Sequence, residues 1–187
     1  MINDDTRISM YRRANGTAGI RDHLVVLSTV CCANHVAESI ARKSGEAVPL
    51  THPAGCGQLG DDAAQTLRIL QNTAEHPNVG AVLVVGLGCE QINAHDLVGK
   101  IAETGNPVAA LNIQESGGTT AAIDKGVSLC IKLKAEKSGN AHRVPVSLTA
   151  LTIGLECGGS DFTSGIAANP AVGLVVDRLV DSGAGVI

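Results

Sequence analysis

Between residues 23 and 137 the chain alternates short, unbroken apolar runs with longer stretches in which apolar residues recur every three or four positions. HLVVLSTV (23–30), AVPLTH (47–52), VGAVLVVGLG (79–88) and PVAALNIQ (107–114) are apolar runs of strand length. HVAESIARK (35–43), DDAAQTLRILQNTAEHP (61–77), INAHDLVGKIAETG (92–105) and TTAAIDKGVSLCIKLKAEK (119–137) follow them with helical spacing. In the second of these, Ala64, Leu67, Leu70 and Ala74 mark one face, Asp61 and Asp62 suit the start, and Pro77 closes it. LTALTIGLEC (148–157) predicts a fifth strand, PAVGLVVDRLVDSG (170–183) a fifth helix, and the terminal AGVI the start of a sixth strand.

Strands that are apolar on both faces and alternate with helices predict a parallel sheet covered on both sides. The expected fold class is therefore α/β, a doubly wound, Rossmann-like sheet of five or six strands. Residues 1–22 read as a lead-in, and 23–187 as a single α/β domain of a longer multidomain enzyme, because a domain rarely stops as a strand begins. Within the lead-in, Arg12, Arg13 and Arg21 flank a turn signal at Asn15-Gly16. This segment is too polar for a core element and is expected across the surface or at an edge, its arginines either solvated or holding a substrate carboxylate or a partner domain.

The alternation places every strand-to-helix loop at one edge of the sheet, the carboxyl edge, where open α/β sheets bind ligands. Four glycine-rich loops meet that description: THPAGCGQ (51–58), VVGLGCEQ (84–91), NIQESGGTT (112–120) and GLECGGSDFTSGIAANP (154–170). They carry three cysteines, Cys56, Cys89 and Cys157, which together could hold one soft or borderline metal or an iron–sulfur cluster, or else pack beneath tight turns. Glu90, Glu156 and Asp161 are candidate general bases, and Glu115 a substrate contact, unless each caps the helix that follows. His52, Gln58, Gln114 and Ser160 are candidate substrate contacts. Cys130 lies on an apolar helical face and reads as core, while Cys31 and Cys32 stay ambiguous.

Composition narrows the classes. Aromatic residues make up 1% of the chain, so no stacking platform for single-stranded nucleic acid exists. A net charge of −4 argues against a phosphate-backbone partner. No apolar run approaches the roughly 20 residues of a membrane span. MINDDTRIS is not a secretory signal, which predicts a cytoplasmic protein with reduced cysteines. The cysteines form no CxxC pair, GLGCEQ lacks the full dinucleotide fingerprint, and neither a GxSxG elbow nor a Walker A loop occurs.

YRRANGTAGIRDH, HPAGCGQ, HPNVGAVLVVGLGCE, NIQESGGT and LECGGSDFTSGIAANPAVG, spanning about Tyr11 to Gly173, resemble the altronate/galactarate dehydratases. That family of sugar-acid lyases also includes the large subunit of a sulfolactate sulfo-lyase. The resemblance implies β-elimination of water from an aldonate or aldarate, giving a 2-keto-3-deoxy acid, with ferrous iron as cofactor. It makes Cys56, Cys89 and Cys157 iron-site residues, with a cluster or another divalent metal as alternatives. Glu90, Glu156 or Asp161 would be base or hydroxyl clamp. It also implies partners: a small N-terminal-type domain or subunit, and a further C-terminal α/β domain. Loss of those domains would leave an apolar patch favouring a homo-oligomer. Two further readings stand beside it: an incomplete subunit that needs its partner domains, and a module that binds hydroxy-acids without chemistry.

Overall fold

The computed structural model describes residues 6–140, 142–156 and 158–187. In chain order the elements are β1 (Arg7–Arg12), β2 (Ala18–Gly19), β3 (His23–Ser28), α1 (Asn34–Ser44), β4 (Ala47–Leu50), α2 (Gly60–Ala74) and β5 (Val79–Gly86). After them come α3 (Ala94–Ala102), β6 (Val108–Asn112), α4 (Thr119–Asn140), β7 (Arg143–Ser147), β8 (Thr152–Ile153), α5 (Asn169–Asp181) and β9 (Gly185–Val186). The chain divides into two compact units, Tyr11–His142 and a smaller one made of Met1–Met10 with Arg143–Ile187.

The larger unit is built on a four-stranded, all-parallel sheet in the order β4-β3-β5-β6. Alternate residues of each strand feed opposite faces, as a pleated backbone requires. On one face Leu24, Val26, Ala81, Leu83, Val85 and Leu111 pack with α1 and α4 through Val36, Ile40, Ile123 and Leu133. On the other, Val25, Leu27, Val82 and Val84 pack with α2 and α3 through Leu70, Ala74, Leu97 and Ile101. All eight residues of β5 are buried, which is why the run 79–86 reads as apolar without interruption. Cys130 is buried in the first of these clusters.

The lead-in is more structured than its polarity suggests. A turn at Asn15-Gly16 folds β2 back against the end of β1, with Tyr11 opposite Gly19 and Arg12 opposite Ala18. Gly16 takes a left-handed φ of 86°, the conformation the Asn-Gly signal anticipates. Arg13 is buried and spends its guanidinium on three acceptors: Nε donates to the Pro77 carbonyl (2.7 Å), Nη1 to Asp22 Oδ1 (2.6 Å) and Nη2 to the Arg21 carbonyl (2.9 Å). Lys137 Nζ donates to the other Asp22 oxygen at 2.6 Å. Burial alone would push the Asp22 carboxyl up, but hydrogen bonds and charge from Lys137 and Arg13 outweigh it and hold its pKa below the usual range.

The expectation of five or six strands in one sheet is corrected to four. The two segments read as fifth and sixth strands pair instead with each other, Thr152 beside Gly185 and Ile153 beside Val186, as a separate two-stranded parallel ladder. The cause is local: Ser147 accepts a hydrogen bond from the Thr149 amide and caps a 3₁₀ turn over Leu148–Ala150, so only two residues of the run remain extended. This ladder belongs to the smaller unit, as does α5, which Pro170 helps start. Much of the apolar side of α5 and the turn before it is exposed, including Ile166 (73%), Leu174 (63%) and Val175 (54%). Among the described residues no helix is long and apolar enough to cross a membrane.

Candidate functional site

In the parallel sheet the chain leaves β3 for β4 on one side and then returns to β5 on the other. The carboxyl ends of β3 and β5 therefore flank the point where the winding reverses, the place where such sheets open a ligand crevice. A small cleft lies there, lined by residues that include Thr29, Val30, Cys56, Gln58 and Glu90. Its volume is only about 10 Å³, the space of a single water, so a larger ligand must lie over its mouth. Ala63, Gln91 and Ile92 on its rim are shared with a groove of about 450 Å³ between α2 and α3.

Glu90 organises the β5 loop. Its Oε1 accepts from Thr29 Oγ1 (3.0 Å) and the Leu87 amide (3.1 Å), and its Oε2 from the Gly88 amide (2.5 Å). The carboxylate thereby ties the loop after β5 to the residue after β3. Gly86 makes this approach feasible, since a Cβ there would collide with Glu90 Oε1. Gly88, at φ 126°, admits Gln114 Oε1 and Asn112 Oδ1 to 2.6 and 2.8 Å of where its Cβ would stand. The loops after β5 and β6 are also joined along the backbone, the Gln114 amide donating to the Leu87 carbonyl at 3.1 Å.

His52 holds the third loop. The Ala54 amide donates to its Nδ1 at 3.2 Å, so the ring proton sits on Nε2 and is donated to the Ser28 carbonyl, 3.1 Å away. Asn34 completes the tie, Nδ2 donating to the His52 carbonyl and Oδ1 accepting from Ser28 Oγ. His52 is thus committed to the loop backbone, whereas Cys56 and Cys89 are exposed and Gln58 is half-buried. Glu115 is exposed beside His95, with Oε2 3.6 Å from Nε2.

The structure brings His52, Cys56, Gln58, Cys89, Glu90, Gln114 and Glu115 to the carboxyl edge of one sheet. Glu156, Ser160 and Asp161 belong to the smaller unit, and Cys157 lies outside the described residues. Asp161 accepts from the Thr163 hydroxyl (2.5 Å), the Thr163 amide (2.7 Å) and the Ser164 amide (3.2 Å). These bonds, the Thr163 hydroxyl foremost, hold its carboxyl below the usual range. Such an aspartate caps a turn and makes a poor base. Glu156 is exposed. Thr29, Asn34 and Asn112 were not singled out from the sequence, although Thr29 and Asn34 put hydrogen-bonding groups just where β3 ends, and His95, which the sequence reads as a surface residue without a partner, stands beside Glu115.

As for metal, thiolates of loops 51–58 and 84–91 have the right softness for iron. Among the described residues, however, no three His, Cys, Asp or Glu side chains stand close enough together to hold an ion.

Residues 10–137 match the second-domain profile of D-galactarate dehydratase/altronate hydrolase, and residues 148–187 match the C-terminal profile of D-galactarate/altronate dehydratase. The chain belongs to the galactarate/altronate dehydratase family. It is 38% identical to an altronate dehydratase of Bacillus subtilis (strain 168) over 97% of its own length and 38% of that protein. It is 35% identical to the subunit beta of a (2R)-sulfolactate sulfo-lyase of Chromohalobacter salexigens, over 92% of this chain and 43% of that one. A galactarate dehydratase (L-threo-forming) of Escherichia coli (strain K12) is 28% identical over 95% of the chain and 38% of its own length. The chain thus spans less than half of each of these relatives. As a lyase-family member it carries the second-domain fold, and the boundary between the two matched profiles falls close to the boundary between its two units.

Proposed function

We infer that this chain is part of a sugar-acid dehydratase, acting on an aldonate or aldarate of the altronate or galactarate class. The observation that carries the reading is the joining of three family-type loops at the carboxyl edge by Glu90, His52 and the Gln114–Leu87 bond. In the proposed reaction a carboxylate takes the proton from the carbon next to the substrate carboxylate. The C–H electrons form a double bond to the next carbon, whose hydroxyl leaves as water with the proton the carboxylate has just taken, and the resulting enol tautomerises to the 2-keto-3-deoxy acid.

Glu156 is the proposed base, because both oxygens of Glu90 and the Oδ1 of Asp161 are already engaged as loop and turn clamps. Gln58, Gln114, Glu115 and Ser160 are proposed substrate contacts, with Glu90 and His52 positioning the loops that carry them. Ferrous iron belongs to the same proposal, with Cys56, Cys89 and Cys157 as its thiolates. Bound iron would supply Lewis-acid stabilisation of the charge that develops on the substrate. A cytoplasmic enzyme working with further domains, or as a homo-oligomer, fits the exposed apolar side of α5.

The test is an anaerobic dehydration assay against altronate and galactarate with ferrous iron present, reading 2-keto-3-deoxy acid, for the chain and its Glu156→Gln variant. Turnover lost in the variant supports the reading, and turnover unaffected by Glu156→Gln removes Glu156 as base. The coverage of less than half of each relative favours one second reading, a subunit incomplete without partner domains. Saturable binding without turnover would support that instead.

A further inference from the structure

Immediately after β3 the chain places two cysteines side by side, Cys31 and Cys32, neither of which the elimination uses. The Cys31 amide is fixed to the Ala54 carbonyl at 2.9 Å, and its Sγ lies against Gly55, 3.8 Å from where a Cβ would stand. Both thiols are free; Cys31 is half-buried and Cys32 exposed. The two are consecutive residues of one 3₁₀ turn, Cys31–Ala33, and hydrogen bonding with Cys31 is the chief reason the Cys32 thiol sits above its ordinary value, with the Glu90 charge adding a smaller push.

A vicinal pair on one turn has three outcomes open to it, and geometry separates them. Joining the sulfurs as a disulfide is disfavoured, because consecutive Cα atoms lie about 3.8 Å apart across a trans peptide. Unstrained disulfides need about 4.4–6.8 Å. A metal ion of the zinc type wants four ligands, and the described residues offer no third donor within reach. What remains is a ligand satisfied by two sulfurs alone.

We propose that Cys31 and Cys32 form a dithiol capture site for trivalent organoarsenic compounds, next to Val30 and Gly55 of the carboxyl-edge cleft. Capture is a condensation without redox change. Two S–H bonds break, two As–S bonds form on one arsenic, and the arsenoxide oxygen leaves with both protons as water. Cys56 lines the cleft itself but is not a member of the pair, and Cys89 sits on the neighbouring loop.

The experiment uses the reduced, folded chain with phenylarsine oxide as probe, read by intact mass and peptide mapping. The expected result is one phenylarsenic group per chain, mapped to the peptide holding residues 31 and 32. Excess 2,3-dimercaptopropanol should remove it. It should be lost in both Cys31→Ser and Cys32→Ser, and retained in Cys56→Ser and Cys89→Ser, with circular dichroism verifying that each variant is folded. Failure of the wild-type chain to be labelled overturns the proposal. So does labelling that survives Cys31→Ser or Cys32→Ser, or that needs Cys56.

Discussion

Replacing Asp22 with alanine should be the most damaging single change on the amino side of the parallel sheet. Its carboxylate lies between Arg13 Nη1 and Lys137 Nζ, each 2.6 Å away, and the Arg13 and Asp22 side chains are only 7% exposed. Removing it strands two cations in a poorly solvated place, which costs about 3–5 kcal/mol when a buried pair loses one member. For a unit of this size that corresponds to a drop of about 10–15 °C in Tm. Glu46→Ala is the control: its carboxylate also meets a lysine, Lys134, at 2.5 Å, but both side chains are roughly half or more exposed. Such a surface pair is screened by water and salt and contributes little. Urea and thermal unfolding followed by circular dichroism would measure both. If Asp22→Ala cost no more than Glu46→Ala, the idea that burial makes the Arg13–Asp22–Lys137 cluster a structural keystone would be wrong.

The same cluster dictates a pH response. The folded Asp22 carboxyl titrates below the unfolded value of about 3.9, so it binds its proton less readily when folded. Its contribution is complete above that value and drains away as pH falls through the folded pKa. Asp22→Asn should accordingly flatten the acid limb of the stability curve while leaving its shape above about pH 5 unchanged.

Three further outcomes follow from particular contacts. Glu90→Ala removes the acceptor for three donors and should speed amide exchange at Leu87 and Gly88 about 10- to 100-fold, equivalent to about 1–3 kcal/mol, as read by NMR. Gly19→Ala would drive a methyl into the Pro77 carbonyl that also receives Arg13 Nε, and should lower stability by about 1–3 kcal/mol in urea titrations. Asn93→Ala deletes the side chain that caps α3 through the His95 and Asp96 amides, for a loss of about 1 kcal/mol in the same assay.

The portion of the fold legible in the sequence is the portion where burial is two-sided. VGAVLVVG becomes β5 because every position is covered, and α2 and α3 show their core faces through Leu70, Ala74, Leu97 and Ile101. The run 148–157 misled because its apolar residues alternate with Thr149, Thr152 and Gly154, and because one hydroxyl, Ser147, decides for a turn over a strand. Arg13 was hidden for a related reason. A buried arginine looks like a solvated one until its acceptors at Asp22, Arg21 and Pro77 are known, the last 64 residues away, and the second cation on Asp22, Lys137, lies 115 residues from it. In the site, the glycines and the Cys/Glu loops were readable as chemistry at one edge. Which carboxylate clamps the backbone and which stays open was not, since Glu90, Glu156 and Asp161 differ only in the amides that reach them.

The measurement that bears most directly on the account is a titration of the isotope-labelled chain with galactarate and with altronate, followed amide by amide in NMR spectra. The account predicts saturable shifts at residues 55–58, 87–91 and 114–118, the loops tied together by His52, Glu90 and Gln114. Shifts confined to the opposite edge around Arg13, Gly80 and Asn106, or no saturable shift with either sugar acid, would contradict it.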